Sequence, residues 1–252
     1  MLKKRIIPIQ LLSNKRLVKT VKFSSARDVG DPVMSSKVYS SQDADELILL
    51  NIDRVKYSFD NLVSTVEKIG KECFVPLSVG GGIKSLDQAR KLFSVGADKI
   101  IINSVTFDNS QLIKDIASLA GTQAVVVGID AELISGKYIL RSNGSTIVQT
   151  VSLCDHISKI IELGAGEIMI QSIDNDGVMQ GYDINLIEKV FRQSSVPVIA
   201  AGGAGNFSHL SEAFAVGVSA VACGSLFNFG DNNPLRAKAF LSNLGIPLKR
   251  IK

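Results

Sequence analysis

No linker divides this chain. Along 252 residues there is no Pro-, Gly- or Ser-rich stretch and no block of like charge, which excludes a string of modules and leaves one domain, residues 1–252. No apolar run approaches the ~20 residues of a membrane-spanning helix, so a membrane partner is not expected. Lys3, Lys4 and Arg5 precede only the short apolar run Ile6 to Leu12, too brief for a signal sequence and without a small-residue cleavage site. Cysteine is scarce: Cys73, Cys154 and Cys223 are odd in number and lack metal-ligand spacing. That argues against a disulfide framework or a metal centre and for free thiols in a reducing compartment, by default the cytoplasm. Charge is nearly balanced, with 28 Lys and Arg against 24 Asp and Glu for a formal +4. This excludes the strongly basic surface of a nucleic-acid binder, while 46% hydrophobic residues suit a packed core.

What the chain does contain is a repeat. Pro76 to Ser104 reads PLSVGGGIKSLDQARKLFSVGADKIIINS, and Pro197 to Ser225, 121 residues later, reads PVIAAGGAGNFSHLSEAFAVGVSAVACGS. Each copy is an apolar strand, a glycine turn, a helix and a second strand, the parallel β/α unit. Glu46 and Glu167 recur at the same offset. A repeat near half the chain length predicts two equivalent halves that close into a (βα)8 TIM barrel, whose sites lie on the loops after the strands.

Eight β-rich runs follow: Arg5 to Leu11, Glu46 to Ile52, Val75 to Val79, Lys99 to Asn103, Gln123 to Ile129, Glu167 to Ile173, Val196 to Ala200 and Ala220 to Cys223. Spacings such as Leu86-Ala89-Leu92-Phe93 and Ile113-Ile116-Leu119 predict outer helices with one buried stripe. The segment from Ser13 to Pro32, basic and too long for a routine connection, is a candidate mobile lid. Gly136 to Thr150, with Asn143-Gly144 between two apolar stretches, predicts a small β-hairpin inserted after the fifth strand.

Two glycine-rich turns predict anion cradles, because backbone N–H groups can approach a phosphate closely there. The first comprises Gly80 to Gly82 with Asn103 and Ser104. The second comprises Gly202 and Gly203 with Gly224 and Ser225. Together they imply a substrate with an anion at each end. Asp130, ending the run Val125 to Ile129, is placed on the catalytic rim as a proton shuttle, its pKa raised by burial. Asp176-Gly177 is a candidate for contacting substrate hydroxyls or phosphate, with Asp53 a weaker one. Arg5, Glu46, Lys99 and Glu167, at the starts of strands, can form an ion-paired ring at the closed bottom of the barrel.

Those residues carry a resemblance over essentially the whole length: the chain resembles the cyclase subunit family of imidazole glycerol phosphate synthase. The matching motifs are Lys4-Arg5-Ile6-Ile7-Pro8, Arg27-Asp28-Val29-Gly30-Asp31-Pro32, Asp45-Glu46-Leu47, Val79-Gly80-Gly81-Gly82-Ile83, Gly96-Ala97-Asp98-Lys99, Gly164-Ala165-Gly166-Glu167-Ile168, Asp174-Asn175-Asp176-Gly177 and Gly202-Gly203-Ala204-Gly205. The resemblance implies a barrel without a cofactor that takes ammonia from a glutamine amidotransferase docked on its bottom face. Ammonia would pass a gate matching Arg5, Glu46, Lys99 and Glu167 to a doubly phosphorylated substrate. That substrate would be held at Lys19, Gly82, Asn103, Ser104, Asp176, Gly177, Gly203, Gly224 and Ser225. Asp98 matches a position facing the amidotransferase, and Lys19 a lysine of the first loop.

Three positions depart from the family. The first of its two catalytic aspartates falls on Leu11, the second on Asp130; an aspartate after the second strand is Asn51, and a threonine after the sixth is Gln171. Gln10 points to the opposite side by strand alternation and is no substitute. Loss of one acid/base group implies a severely slowed cyclisation, since such groups contribute about 10² to 10⁴-fold each. A divergent branch with an apolar residue at this position implies instead acetamidino formation on a bacterial surface sugar, as in lipopolysaccharide synthesis. The alternatives weighed are the orthodox histidine-pathway reaction, a non-catalytic barrel that binds a phosphorylated metabolite and activates its amidotransferase, and a related sugar-phosphate isomerase.

Overall fold

A computed structural model describes residues 3–53 and 58–249. In chain order, β1 (Arg5–Ser13) leads into a hairpin of β2 (Arg16–Val21) and β3 (Ser24–Gly30), then α1 (Pro32–Ser41), β4 (Leu47–Asn51) and α2 (Ser58–Glu72). Next come β5 (Leu77–Gly80), α3 (Leu86–Ser94), β6 (Lys99–Ile102), the short α4 (Val105–Asp108) and α5 (Gln111–Ala120). A meander of β7 (Val125–Ile134), β8 (Lys137–Ser142) and β9 (Ile147–Val148) precedes α6 (Leu153–Glu162), β10 (Glu167–Ser172) and α7 (Ile184–Gln193). The chain continues with β11 (Val198–Ala201), α8 (Phe207–Val216), β12 (Ala220–Cys223), α9 (Ser225–Asn228) and α10 (Pro234–Asn243).

Eight strands close on themselves in the order β1-β4-β5-β6-β7-β10-β11-β12, every neighbouring pair parallel. This is the expected (βα)8 barrel. Alternation divides the core in two. Ile7, Ile9, Ile48, Ile101, Val126, Met169 and Ile199 fill the barrel interior, whereas Ile6, Leu12, Leu47 and Leu49 face the helices. The helices present matching stripes: in α7, Leu186, Ile187 and Val190 are buried, while Glu188 and Arg192 pair on the outer face at 2.5 Å. The repeat extends to the caps. Ser85 accepts from Gln88 N at the start of α3, and Asn206, 121 residues on, accepts from His209 N at the start of α8.

Several expectations need correction. Pro76 and Pro197 stand just outside β5 and β11, so those strands begin at Leu77 and Val198; proline has no N–H to give a ladder. Leu119 is 42% exposed on α5 and is not part of its buried stripe, which is Leu112, Ile113 and Ile116. β7 does not end near Asp130 but runs on to Ile134, turns at Ser135-Gly136 and pairs with β8, so the insert is a three-stranded meander. The segment after β1 is itself a hairpin, with β2 pairing β1 and β3 antiparallel. No helix among the described residues is long and apolar enough to cross a membrane.

Candidate active site

Inward-facing positions at the bottom of the barrel bring four charges together. Arg5 donates to Glu46 at 2.7 Å and to Glu167 at 2.7 Å, and Lys99 closes the ring with contacts of 2.9 Å to Glu46 and 2.8 Å to Glu167. Ser78, two residues past Pro76 on an inward position, donates to Glu46 Oε1 at 2.5 Å. Burial pushes the Glu167 carboxyl up, but Arg5 and then Lys99 outweigh it and hold it below the ordinary carboxylate range. The same exchange holds the Arg5 guanidinium firmly charged: burial opposes it, and Glu167 and Glu46 win. Beside the ring lies a groove of about 280 Å³ lined by Cys73, Phe74, Pro76, Gly96 and Asp98. Phe74 is 91% exposed there. Asp98 is exposed too, and its Oδ2 accepts from Leu77 N at 2.8 Å.

At the top, β7 and β10 set Asp130 and Gln171 side by side in register. Asp130 is 8% exposed, and burial pushes its carboxyl up to about 7, against a 2.8 Å hydrogen bond from Asn103 Nδ2 and with added repulsion from Asp176. Leu11 is buried at 8% exposure and lines the cavity, on the inward face of β1, whereas Gln10 accepts from Ser36 Oγ of α1 at 2.8 Å on the helix side. The two turn residues behave differently. Ser225 Oγ is buried without a hydrogen-bond partner among the described residues, while Ser104 Oγ accepts from Asn143 N of the meander at 2.8 Å.

A cavity of about 20 Å³ is lined by Leu11, Lys19, Gln171, Asp176, Gly177, Gly203, Gly224 and Ser225, with Ile9, Gly202, Ala204, Ala222 and Cys223. The structure thus brings Gly202, Gly203, Gly224 and Ser225 together with Lys19. It does not bring Gly82, Asn103, Ser104 or Asp130 into the same enclosed space, because the β2–β3 hairpin lies over the second cradle and the meander packs on the first. Lys19 Nζ meets Asp176 Oδ1 at 3.0 Å, and Gln171 Nε2 donates to the same oxygen at 3.2 Å. Gly177 is explained by the hairpin: a Cβ there would stand 2.3 Å from Thr20 O.

The weaker candidates are structural. Asp53 accepts from Ser13 Oγ at 2.7 Å and from Asn14 N at 2.5 Å, pinning the base of the hairpin. Asn51 uses its amide on Ser58 O and Asp53 N, both at 3.2 Å. Burial raises the Cys223 thiol to about 12, with Tyr182 opposing, which favours the neutral thiol over the thiolate. Among the described residues no three His, Cys, Asp or Glu side chains gather as metal ligands. Sequence reading missed Ser78, Thr20 and the part played by Gln171; the inward parity of Glu167, Met169 and Gln171 was the signal for the last.

Comparison with known proteins gives the family. A family described as histidine biosynthesis protein matches residues 5–233. The imidazole glycerol phosphate synthase subunit HisF of Exiguobacterium sibiricum is 39% identical over 249 residues, covering 99% of this chain and 100% of that protein. The subunit HisF of Pyrococcus furiosus is 38% identical over 249 residues, 99% of each chain. A putative subunit HisF of Leptospira borgpetersenii is 40% identical over 230 residues, 90% of this chain and 91% of its own.

Proposed function

Since the chain belongs to the histidine biosynthesis protein family, we propose that it is an ammonia-using synthase subunit of the cyclase type, with its acceptor chemistry changed. The observation that carries the reading is the closed ring of Arg5, Glu46, Lys99 and Glu167 across the barrel floor. Two buried carboxylates paired with two half-buried cations contribute little net stability over apolar packing, so their presence favours a gating role. Above the ring the interior is apolar, from Ile7, Ile48 and Ile101 to Met169 and Ile199. Neutral ammonia crosses such a medium at small cost, whereas ammonium would lose its hydration. From Glu167 to Gln171 the path is about 13 Å at ~3.3 Å per residue. A glutamine amidotransferase seated on the groove of Phe74 and Asp98 would release ammonia directly beneath the gate.

At the top, one carboxyl carries the proton work. With its pKa near 7, Asp130 can take a proton from the adding nitrogen and return it to the departing oxygen. Leu11 presents an apolar wall in place of a second acid, which favours a neutral acceptor such as a sugar N-acetyl group. There ammonia would add to the carbonyl carbon, and the oxygen would leave as water to give an acetamidino group. Lys19, Ser225 and the Gly203 and Gly224 turns would hold the phosphoryl end, with Gly82, Asn103 and Ser104 on the opposite rim.

Single-turnover assays with ammonium separate the possibilities. The expected result is negligible turnover of the doubly phosphorylated imidazole precursor, restored in part by Leu11→Asp, and an amidino product from an N-acetylated nucleotide sugar. Rapid turnover of the imidazole precursor by the unaltered chain would sink the altered-acceptor reading. Tight binding of both ligands with turnover of neither would instead favour a barrel that only activates its amidotransferase, a reading to which Leu11 also lends support.

A further inference from the structure

We propose that Asp176 is an internal competitor for the anion site: it holds Lys19, and with it the β2–β3 hairpin, until a phosphoryl group takes the lysine away. The inference rests on reading the β11 and β12 turns as an anion cradle. Lys19 is the one cation among the described residues lining the cavity, and its ammonium is committed to Asp176 Oδ1 at 3.0 Å. Its chain lies across the cradle, since a Cβ on Gly224 would stand 3.2 Å from Lys19 Cε. Two more contacts tie the hairpin to the same residue: Thr20 Oγ1 donates to Asp176 Oδ2 at 3.2 Å, and Lys22 N donates to the Asp176 carbonyl at 2.8 Å. The space left is about 20 Å³, and a single water already needs roughly 10–15 Å³ by this measure. A phosphoryl group cannot enter while the hairpin is seated.

Exchange is chemically matched. Lys19 loses a carboxylate and gains a phosphate, which carries more charge and also engages the buried Ser225 hydroxyl, left without a partner among the described residues. Gln171, on the rigid wall of β10, donates to Asp176 Oδ1 from the barrel side and so keeps the carboxylate in place when the lysine departs. Gln171 is thus a positioning residue of the latch.

The test uses the full chain, with limited trypsin digestion at Arg16, Lys19, Lys22 and Arg27 and calorimetric titration with inorganic phosphate. Asp176→Asn is expected to speed cleavage within the hairpin at least ~10-fold and to tighten phosphate binding by about 10-fold. Lys19→Met should speed cleavage equally, at the three remaining sites, but abolish phosphate binding. Should Asp176→Asn fold poorly, Thr20→Val removes one latch bond and leaves both charges; it should raise cleavage and tighten phosphate a few-fold. Unchanged cleavage in the Asp176 and Thr20 variants, or phosphate weakened by Asp176→Asn, overturns the latch while wild-type phosphate binding preserves the cradle. Failure of every variant and the wild type to bind phosphate removes the cradle and the competition with it.

Discussion

The turns after β6 and after β12 descend from one sequence pattern and have been put to different use. Ser104 and Ser225 hold equivalent places, yet the first spends its hydroxyl on Asn143 of the meander and the second keeps its hydroxyl buried and unpaired among the described residues. The cause lies in what was inserted around the repeat: the meander after β7 covers the first turn, and the basic hairpin after β1 covers the second. A duplicated scaffold therefore fixes where a site stands, while its irregular insertions decide what it can bind. In this chain the first turn supplies Asn103, which bonds Asp130 of the following strand, and the second supplies the proposed cradle.

That division can be broken by exchanging the two tasks. The largest effect is expected from Asp130→Asn: product formation with ammonium should fall by about 10² to 10⁴-fold, with phosphate affinity unchanged within about two-fold. The same substitution should raise stability. A carboxyl at about 7 in the fold and near 4 when unfolded makes the fold bind the extra proton. Stability is therefore lost as pH rises between those values, and Asp130→Asn should gain roughly 2–4 kcal/mol at pH 8 and nothing at pH 3, read from urea melts. Arg5→Met leaves Glu46 and Glu167 short of a partner at the floor and should cost about 3 kcal/mol in the same melts.

Smaller effects sharpen the contrast of the serines. Ser225→Ala should weaken phosphate binding about 5–10-fold, since one hydrogen bond to a charged group is lost. Ser104→Ala should leave that binding unchanged and cost about 1 kcal/mol by loosening the meander. The smallest is a pH effect. Glu167, depressed by Arg5 and Lys99, contributes stability that is present above its unfolded pKa and lost as acid carries the pH down through its folded value. Glu167→Gln should flatten that acid limb, and an unaltered limb would show that the ring carries no such linkage.

Much of this was legible in the sequence. The offset of 121 residues and the two glycine turns gave the barrel, because a β/α repeat has few ways to close. Parity along β1 placed Leu11 inside and Gln10 outside, and the strand-start charges gave the floor ring. What stayed hidden depends on tertiary approach. No spacing rule announces that Thr20 and Lys22 will meet Asp176, more than 150 residues away, or that Gly177 is small for the sake of a passing hairpin. The extension of β7 past Asp130 was obscured because Glu132 breaks the apolar pattern; it pairs with Arg141 across the meander.

The floor ring also bears on how such a molecule holds its two halves together. Arg5, Lys99 and Glu46 come from the first repeat and sum to one positive charge, and Glu167 alone from the second returns one negative. Neither portion is neutral at this layer without its counterpart. A barrel closed from two fragments would thus have an electrical reason to join unlike pieces and to refuse like ones, a proofreading of assembly written into four side chains.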